Sequence, residues 1–321
     1  MNRGEGKLSV VVDRVDTITP MIKRFSFRAR DGGELPRFSG GAHVIVEMPD
    51  GEILRRNPYS LMSDPADPSR YAISVRRDEA GRGGSRFMHE KVREGMELTI
   101  SMPVNMFPSD RRARKHLLLA GGIGITPFVP HILELAAAGA AFELHYNVRT
   151  REQGAYAEDL ARRFGDRVHV YETDLGEGFD LDAILSDQPL GTHLYVCGPK
   201  GMITDVIGRA SEFGWPGQNV HYEEFLAPQP GKPYQVELAR SGITVEVASH
   251  QSLLEAIEAA GVDAPYLCRG GACGQCETAV VSCDGQILHN DHYLTDEEKA
   301  SGEKIMVCVS RFEGRRLVID R

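Results

Sequence analysis

No stretch of the 321 residues stays apolar for the roughly 18 positions that a membrane-spanning helix needs. The first ten residues, MNRGEGKLSV, lack the apolar core of a secretory signal. The expected protein is therefore cytoplasmic, with no membrane as a partner. Positive charge is also short. Lys+Arg total 37 against 46 Asp+Glu, and the net charge of −9 argues against a nucleic-acid partner. Internal repeats and low-complexity tracts are missing. A hydrophobic share of 41% beside 26% charged residues is that of a globular chain and excludes extended disorder.

What is present is unevenly distributed. Residues 1–108 hold 17 basic and 15 acidic residues, 109–235 hold 12 and 17, and 236–321 hold 8 and 14. The last third is thus the most acidic for its length. Five of the six cysteines also fall there, within the final 54 residues. A secreted disulfide scaffold would be shorter, with cysteines spread along it. Clustered cysteines point instead to metal.

The chain is long enough for two or three domains, and its patterning predicts a multidomain fold with three regimes. Short strands at 8–12, 22–27, 43–46, 71–75 and 97–100, separated by Gly/Pro/Asp breaks, predict an antiparallel β-barrel over 1–108. From residue 109 to 227, strands at 116–120, 142–148, 168–171 and 193–196 alternate with helical patterns at 128–138, 155–164 and 202–213. That alternation predicts an α/β domain with a parallel sheet. The proline-rich stretch PQPGKP lies in a stiff linker, 228–235, because each proline fixes its own φ and restricts the residue before it. An α+β domain follows over 236–321. It has a hairpin (234–239 and 243–247), then a helix opened by the capping box Ser252–Leu253–Leu254–Glu255 and closed near Gly261.

The strongest chemical signal is Cys268-x4-Cys273-x2-Cys276, with Cys308 further on. This is the spacing of plant-type [2Fe–2S] proteins, in which four thiolates supply two ligands per iron. Gly270, Gly271 and Gly274 suit a loop whose backbone must close around the sulfides. A zinc knuckle also uses four cysteines, but as paired C-x2–4-C units without a glycine-lined loop. Cys283 falls outside the spacing and is read as a free or buried thiol.

In the middle domain, AGGIGITP (120–127) joins a strand to a helix, and Tyr195-Val-Cys197-Gly198-Pro199 ends another strand. Glycines at such a junction let a dinucleotide pyrophosphate approach the backbone at a positive helix end. In an open parallel sheet both loops would face one crevice beyond the strand ends. Cys197 is either a small buried residue or a soft, uncharged side chain beside a nicotinamide. Thr126 is either a helix cap or a residue facing the hydride path. In the first domain, Arg55-Arg56-Asn57-Pro58-Tyr59-Ser60 and Gly81-Arg82-Gly83-Gly84-Ser85 could serve a flavin. Tyr59 would lie against the ring, Ser60 would bond its edge, and the glycine turn with arginine help would take the phosphate.

In this order the motifs GRGGS (81–85), GGIGITP (121–127), CGP (197–199) and the four cysteines resemble the phthalate dioxygenase reductase family over residues 8–321. RNPYSLMSDP and SRFMH (85–89) are most similar to its carnitine-monooxygenase branch. The resemblance implies a β-grasp ferredoxin fold for 236–321. It also implies an NADH-dependent reductase component that carries electrons through FMN and a [2Fe–2S] cluster to a Rieske-type oxygenase. Tyr59, Ser60, Gly83, Gly84 and Ser85 would contact FMN, while Thr126 and Phe225 would sit near the flavin ring. Gly121, Gly122, Gly124, Gly198 and Pro199 would face NADH, with Cys197 beside the nicotinamide. Cys268, Cys273, Cys276 and Cys308 would hold the cluster. The family's Arg-x-Tyr-Ser is interrupted here, since Asn57 and Pro58 separate Arg56 from Tyr59. Either Arg56 reaches the phosphate from a bulged strand or Asn57 takes part of its role. Arg149 and Arg151 either meet a 2′-phosphate or serve elsewhere. Another acceptor, such as a cytochrome P450 or a quinone, is a rival reading. FAD in place of FMN is another, and a non-catalytic redox sensor a third. His43, His89 and His131 are expected to be ordinary structural or surface histidines and not catalysts, and the acidic last domain to present a docking face to a basic patch.

Overall fold

The computed structural model describes residues 6–321, which divide into two compact units. The first comprises residues up to 77 and 85–225, and the second comprises 78–84 and 226–321.

In the first unit, seven strands form one antiparallel sheet: β1 (Lys7–Thr19), β2 (Ile22–Ala29), β3 (Ala42–Asp50), β4 (Ile53–Ser60), β5 (Tyr71–Arg76), β6 (Glu97–Ser101) and β7 (Val104–Asn105). Their order is β4-β3-β6-β1-β2-β5, with β7 beside β3. A bridge between Leu61 and Ile73 joins the chain leaving β4 to β5, so the sheet curls on itself as a barrel. Phe25, Phe27, Val44, Met48, Tyr71 and Ile73 fill it, all essentially inaccessible. Strand β4 is not expected from its polar, proline-interrupted sequence. It forms because it lies at the end of the strand order, where a residue without an N–H costs the ladder little. A short helix, α1 (Gly84–Glu90), follows the GRGG turn.

The same unit holds a parallel sheet of β8 (Lys115–Gly121), β9 (Ala141–Val148), β10 (Val168–Glu172), β11 (Thr192–Cys197) and β12 (Val220–Glu223), in the order β10-β9-β8-β11-β12. The central strand β8 reads KHLLLAG because its middle residues are buried on both faces. One face packs against α2 (Phe128–Ala137) and α3 (Ala157–Phe164). The other packs against α4 (Leu181–Ser186) and α5 (Lys200–Glu212). The glycine-rich stretch does not open a continuous helix. It first makes a 3-10 turn, Gly122–Ile125, and α2 begins three residues later.

Barrel and parallel sheet meet tightly at Gly40 and Gly41. The Gly40 N–H donates to Glu134 Oε2 at 2.8 Å. A Cβ on Gly41 would lie 1.9 Å from the Phe107 carbonyl oxygen. His131 is buried and bonds that carbonyl at 2.9 Å, and burial pushes its imidazole down to about 4. His43 is likewise buried and pushed down to about 4, while His89 bonds the Val75 carbonyl at 2.8 Å. All three histidines are packing elements.

The second unit is built on β13 (Tyr234–Leu238), β14 (Ile243–Val247), α6 (Leu253–Ala259), β15 (Glu277–Cys283), β16 (Gln286–Leu288), α7 (Asp296–Ser301), β17 (Lys304–Met306), β18 (Arg311–Glu313) and β19 (Leu317–Ile319). Its main sheet runs β14-β13-β19-β15-β17, with β13 and β19 parallel and the other pairs antiparallel. A hairpin, a helix and a returning parallel strand are the β-grasp arrangement. The Ser252 capping box forms with both reciprocal hydrogen bonds, and Gly261 takes φ +78° just past the helix end. The proline-rich segment is anchored rather than free. The Gly231 N–H donates to the Ser249 carbonyl at 3.0 Å, and buried Arg311 donates to the Lys232 and Gln251 carbonyls.

Residues 78–84 belong to this unit through Arg82. Its Nη1 donates to Glu255 Oε2 at 2.7 Å and to the His250 carbonyl at 3.1 Å. Only 10% of the Arg82 side chain and 8% of the Glu255 side chain are exposed, so removing one partner strands a buried charge. Arg82→Ala is expected to cost the second unit about 3 kcal/mol, measured by urea unfolding followed by far-UV circular dichroism. Unchanged stability would show that water replaces the guanidinium.

Candidate functional site

After α6 the chain runs without helix or strand from 262 to 276, carrying Cys268, Cys273 and Cys276. Cys308 lies in the turn between β17 and β18. The fold brings the four together. Cys276 and Cys308 place their sulfurs 3.0 Å apart, and the Gly270 N–H donates to Cys268 Sγ at 3.3 Å. Cys268, Cys276 and Cys308 are buried, Cys273 half-buried and Cys283 exposed. A hydrogen bond with Cys273, helped by backbone N–H groups of Gly270 and Ala272, brings the Cys268 thiol down to about 5. The bond with Cys308 lowers Cys276 in the same way, and the partner thiols Cys273 and Cys308 are raised. Within each pair the lowered thiol is the one readier to bind a thiophilic metal as thiolate, and its partner keeps the shared proton until a metal displaces it.

The glycines decide whether the loop can close. Gly274 has φ +76°, and a Cβ there would lie 2.3 Å from Cζ of Tyr293. Gly271 has φ +73°, and its Cβ would be 2.8 Å from Val309 Cγ2. Four soft donors on a backbone turned inward with N–H groups aimed at sulfur fit an iron–sulfur cluster better than a pair of zinc knuckles.

At the C-terminal edge of the parallel sheet, Ala120 and Cys197 are register partners on neighbouring strands. The loops that follow them therefore lie side by side. Their tightest contact, Gly124 against Cys197, is backbone on backbone. A Cβ on Gly124 would be 2.2 Å from the Cys197 carbonyl oxygen, and one on Gly198 would be 2.5 Å from Met202 Cε. A Cβ on Gly121 would be 2.8 Å from Pro199 Cδ. These three glycines are used by the protein itself. Gly122 differs. It is exposed, at φ +54°, with open space where a side chain would go, and it is the position of this loop where a ligand can approach. Thr126 is buried, and its hydroxyl donates to the Ile123 carbonyl at 3.0 Å, closing the 3-10 turn.

Cys197 is fully buried, and burial, with Glu223 and Glu224 nearby, pushes its thiol well up, so it stays neutral. Glu223 is its register partner on β12. Burial raises the Glu223 carboxyl to about 8, and its Oε2 is shielded from water without a hydrogen-bond partner among the described residues. Sequence reasoning took only Phe225 from YEEF; Glu223 becomes visible once β12 is paired with β11. Phe225 itself is 47% exposed.

Strand β4 pairs with β3 without a register shift from Asp50↔Ile53 to His43↔Ser60. The bulge that would let Arg56 reach Tyr59's side is therefore not formed. In an unbroken strand, Arg55, Asn57 and Tyr59 share one face, and Arg56 and Ser60 the other. Asn57 stands two residues before Tyr59, the place of the family's arginine, and its Nδ2 donates to the Tyr59 hydroxyl at 3.4 Å. Arg56 pairs with Glu47 at 3.0 Å. Tyr59, Ser60 and Ser85 lie in the first unit, Gly83 (φ +100°) and Gly84 in the second. Arg82 is committed to Glu255.

Beyond β9, Arg151 donates through Nε to Glu172 Oε1 at 2.8 Å, and its N–H donates to the same carboxylate. Arg151 thus serves an intramolecular ion pair. This residue pair, too, is invisible until β9 and β10 are set side by side.

A family model for the N-terminal domain of dimethylamine monooxygenase subunit DmmA-like proteins matches residues 100–220, and a 2Fe-2S iron-sulfur cluster binding domain matches 236–313. The carnitine monooxygenase reductase subunit of Acinetobacter baumannii is 47% identical over 312 residues, 97% of this chain and 96% of that protein. The heme-dependent oxidative N-demethylase beta subunit of Ectopseudomonas mendocina is 46% identical over 313 residues, 98% of each. The solved structure of phthalate dioxygenase reductase, described as modular for electron transfer from pyridine nucleotides to [2Fe–2S], superposes with a TM-score of 0.90. It is 35% identical, covering 99% of this chain and 98% of that one.

The raised carboxyl of Glu223 gives a test. A carboxyl held at about 8 in the fold and near 4.5 unfolded binds a proton in the native state that the unfolded chain has lost. Stability is therefore full below about 4.5 and declines as pH rises toward 8. Glu223→Gln should leave the melting temperature at pH 5 nearly unchanged and raise it by several degrees at pH 9. An equal shift at both pH values would show that the carboxyl is not buried.

Proposed function

We propose a Rieske-type oxygenase as the electron acceptor of this chain, which belongs to the phthalate dioxygenase reductase family and is the reductase component of an oxygenase system. It is an oxidoreductase whose redox groups are FMN, NADH and a [2Fe–2S] cluster. Flavin supplies the conversion the pair requires, because it takes two electrons from a hydride donor and passes them on singly. The observation that carries this reading is the convergence of Cys268, Cys273, Cys276 and Cys308 on a glycine-turned loop.

In this reading those four cysteines hold the cluster, and Cys283 does not. Tyr59, Ser60, Gly83, Gly84 and Ser85 bind FMN. Asn57, on Tyr59's face, takes the place of the family's arginine, and Arg56 supports the strand through Glu47. Gly122 admits the NADH pyrophosphate, while Gly121, Gly124, Gly198 and Pro199 shape the loops that receive it. The neutral Cys197 thiol lines the nicotinamide side without adding charge, Thr126 fixes the turn, and exposed Phe225 is available to cover the ring. Among the described residues no helix is long and apolar enough to cross a membrane. The compartment proposed is the cytoplasm.

A second acceptor class is favoured by a specific finding: one relative matching over its whole length is the beta subunit of a heme-dependent oxidative N-demethylase. Reconstitution decides between them. The reading predicts NADH-driven turnover with a Rieske-type oxygenase acting on a methylated amine, and it fails if only a heme-dependent N-demethylating partner is reduced.

The cofactor assignment has a direct check. Anaerobic NADH should bleach flavin and iron–sulfur absorbance together. Cys273→Ser should lose iron and acid-labile sulfide, while Cys283→Ser keeps both. Zinc in place of iron would end the proposal. The Arg151–Glu172 pair supports NADH over NADPH, because one of the two arginines that could meet a 2′-phosphate is already neutralised. Glu172→Gln should raise kcat/KM for NADPH relative to NADH about tenfold, and an unchanged ratio would remove Arg151 from coenzyme selection.

A further inference from the structure

The parallel sheet carries a second group of metal-type side chains that electron transfer does not use. On β9 and β10, His145 and His169 are register partners, and Glu143 stands two residues before His145 on the same face. The two imidazoles stack with centroids 4.8 Å apart. Both turn Nε2 toward one atom, Glu143 Oε1, at 3.0 Å from His145 and 3.2 Å from His169. The three ligand atoms all lie within 4.8 Å of one another.

We propose that Glu143, His145 and His169 form a binding site for a divalent transition ion of the zinc class. A zinc–ligand distance of about 2.0–2.1 Å places tetrahedral donors about 3.3 Å apart, and two of the three separations, 3.0 and 3.2 Å, are close to it. The donor set is two imidazoles and one carboxylate, with room for water as the fourth ligand, which suits Zn²⁺ and excludes Ca²⁺ and Mg²⁺.

The surrounding residues orient these donors. Lys115 Nζ donates to Glu143 Oε2 at 2.6 Å, which fixes the carboxylate and leaves Oε1 to the ion. The Tyr171 hydroxyl lies 2.8 Å from His145 Nδ1, and Phe179 stands edge-on to both rings. When an ion takes the Nε2 lone pairs, each neutral imidazole carries its proton on Nδ1. For His145 the Tyr171 oxygen accepts that proton in a hydrogen bond. His145 is buried, whereas the His169 side chain is 41% exposed and gives the ion its entry.

The site lies below the nucleotide edge. His145 is the register partner of Leu119, two residues short of Gly121. Its effect is therefore on the sheet, pinning the edge strand β10, which carries Glu172, to β9.

Isothermal titration of the intact protein, cluster and flavin bound, with zinc chloride should show one equivalent bound per chain. His169→Ala and Glu143→Gln should each weaken it at least tenfold, and Tyr171→Phe about tenfold. Iron and sulfide should be unchanged after titration. A zinc-edge anomalous map of the wild-type protein should place its peak between the two Nε2 atoms. The proposal is overturned if no equivalent binds, if His169→Ala binds as tightly as wild type, or if the anomalous peak lies only elsewhere. Iron release with heat that survives His169→Ala would identify the cysteine loop as the true site.

Discussion

A side chain at position 124 would lie 2.2 Å from the Cys197 carbonyl oxygen. The loop after β8 can therefore close on the loop after β11 only because residue 124 is glycine. That contact fixes the C-terminal edge of the sheet. It places buried, neutral Cys197 next to β12 and its Glu223 carboxyl, and it leaves Gly122 turned outward. Glycine-rich loops at nucleotide sites are usually credited to ligand approach. Here the division of labour is different: most of these glycines permit protein to touch protein, and Gly122 alone of the loop's three glycines leaves open space, the place proposed for the dinucleotide.

The same logic governs the cysteine loop. Gly271 and Gly274 take left-handed backbone where side chains would meet Val309 and Tyr293. The loop can then turn its N–H groups onto sulfur. In both places the chemistry depends on where side chains are absent. The residues that would do the chemistry, four thiols and one neutral thiol, are otherwise ordinary.

Much of this was legible in the sequence because local rules and spacing rules agreed. The capping box at Ser252, the stop at Gly261 and the alternation from β8 to β11 follow from turn chemistry and periodicity, and they formed as written. The four cysteines were legible because their spacing has few other uses. What sequence could not show were properties of pairing. Strand β4 looks like a loop, since Pro58 and its polar neighbours are tolerated only at a sheet edge. Glu223, Glu172 and the Glu143–His145–His169 group acquire meaning from strands that lie apart in the chain. The commitment of Arg82 to Glu255 is of the same kind, joining residues 173 positions apart.

The interrupted flavin motif shows how register settles what spacing leaves open. Counted along the chain, Arg56 is the arginine nearest to Tyr59, and a bulge would be needed to bring it to Tyr59's face. Counted across the sheet, no residue is inserted, so alternation assigns that face to Arg55, Asn57 and Tyr59. Asn57 is neutral and short, and cannot grip a phosphate as a guanidinium does. The departure is thus a change of side chain at that position, with no shift of the strand. In the proposed FMN site the phosphate would then be held by backbone N–H groups of the Gly83–Ser85 turn, with no side-chain charge from position 57. A backbone grip of that kind would not depend on which side chain precedes Tyr59.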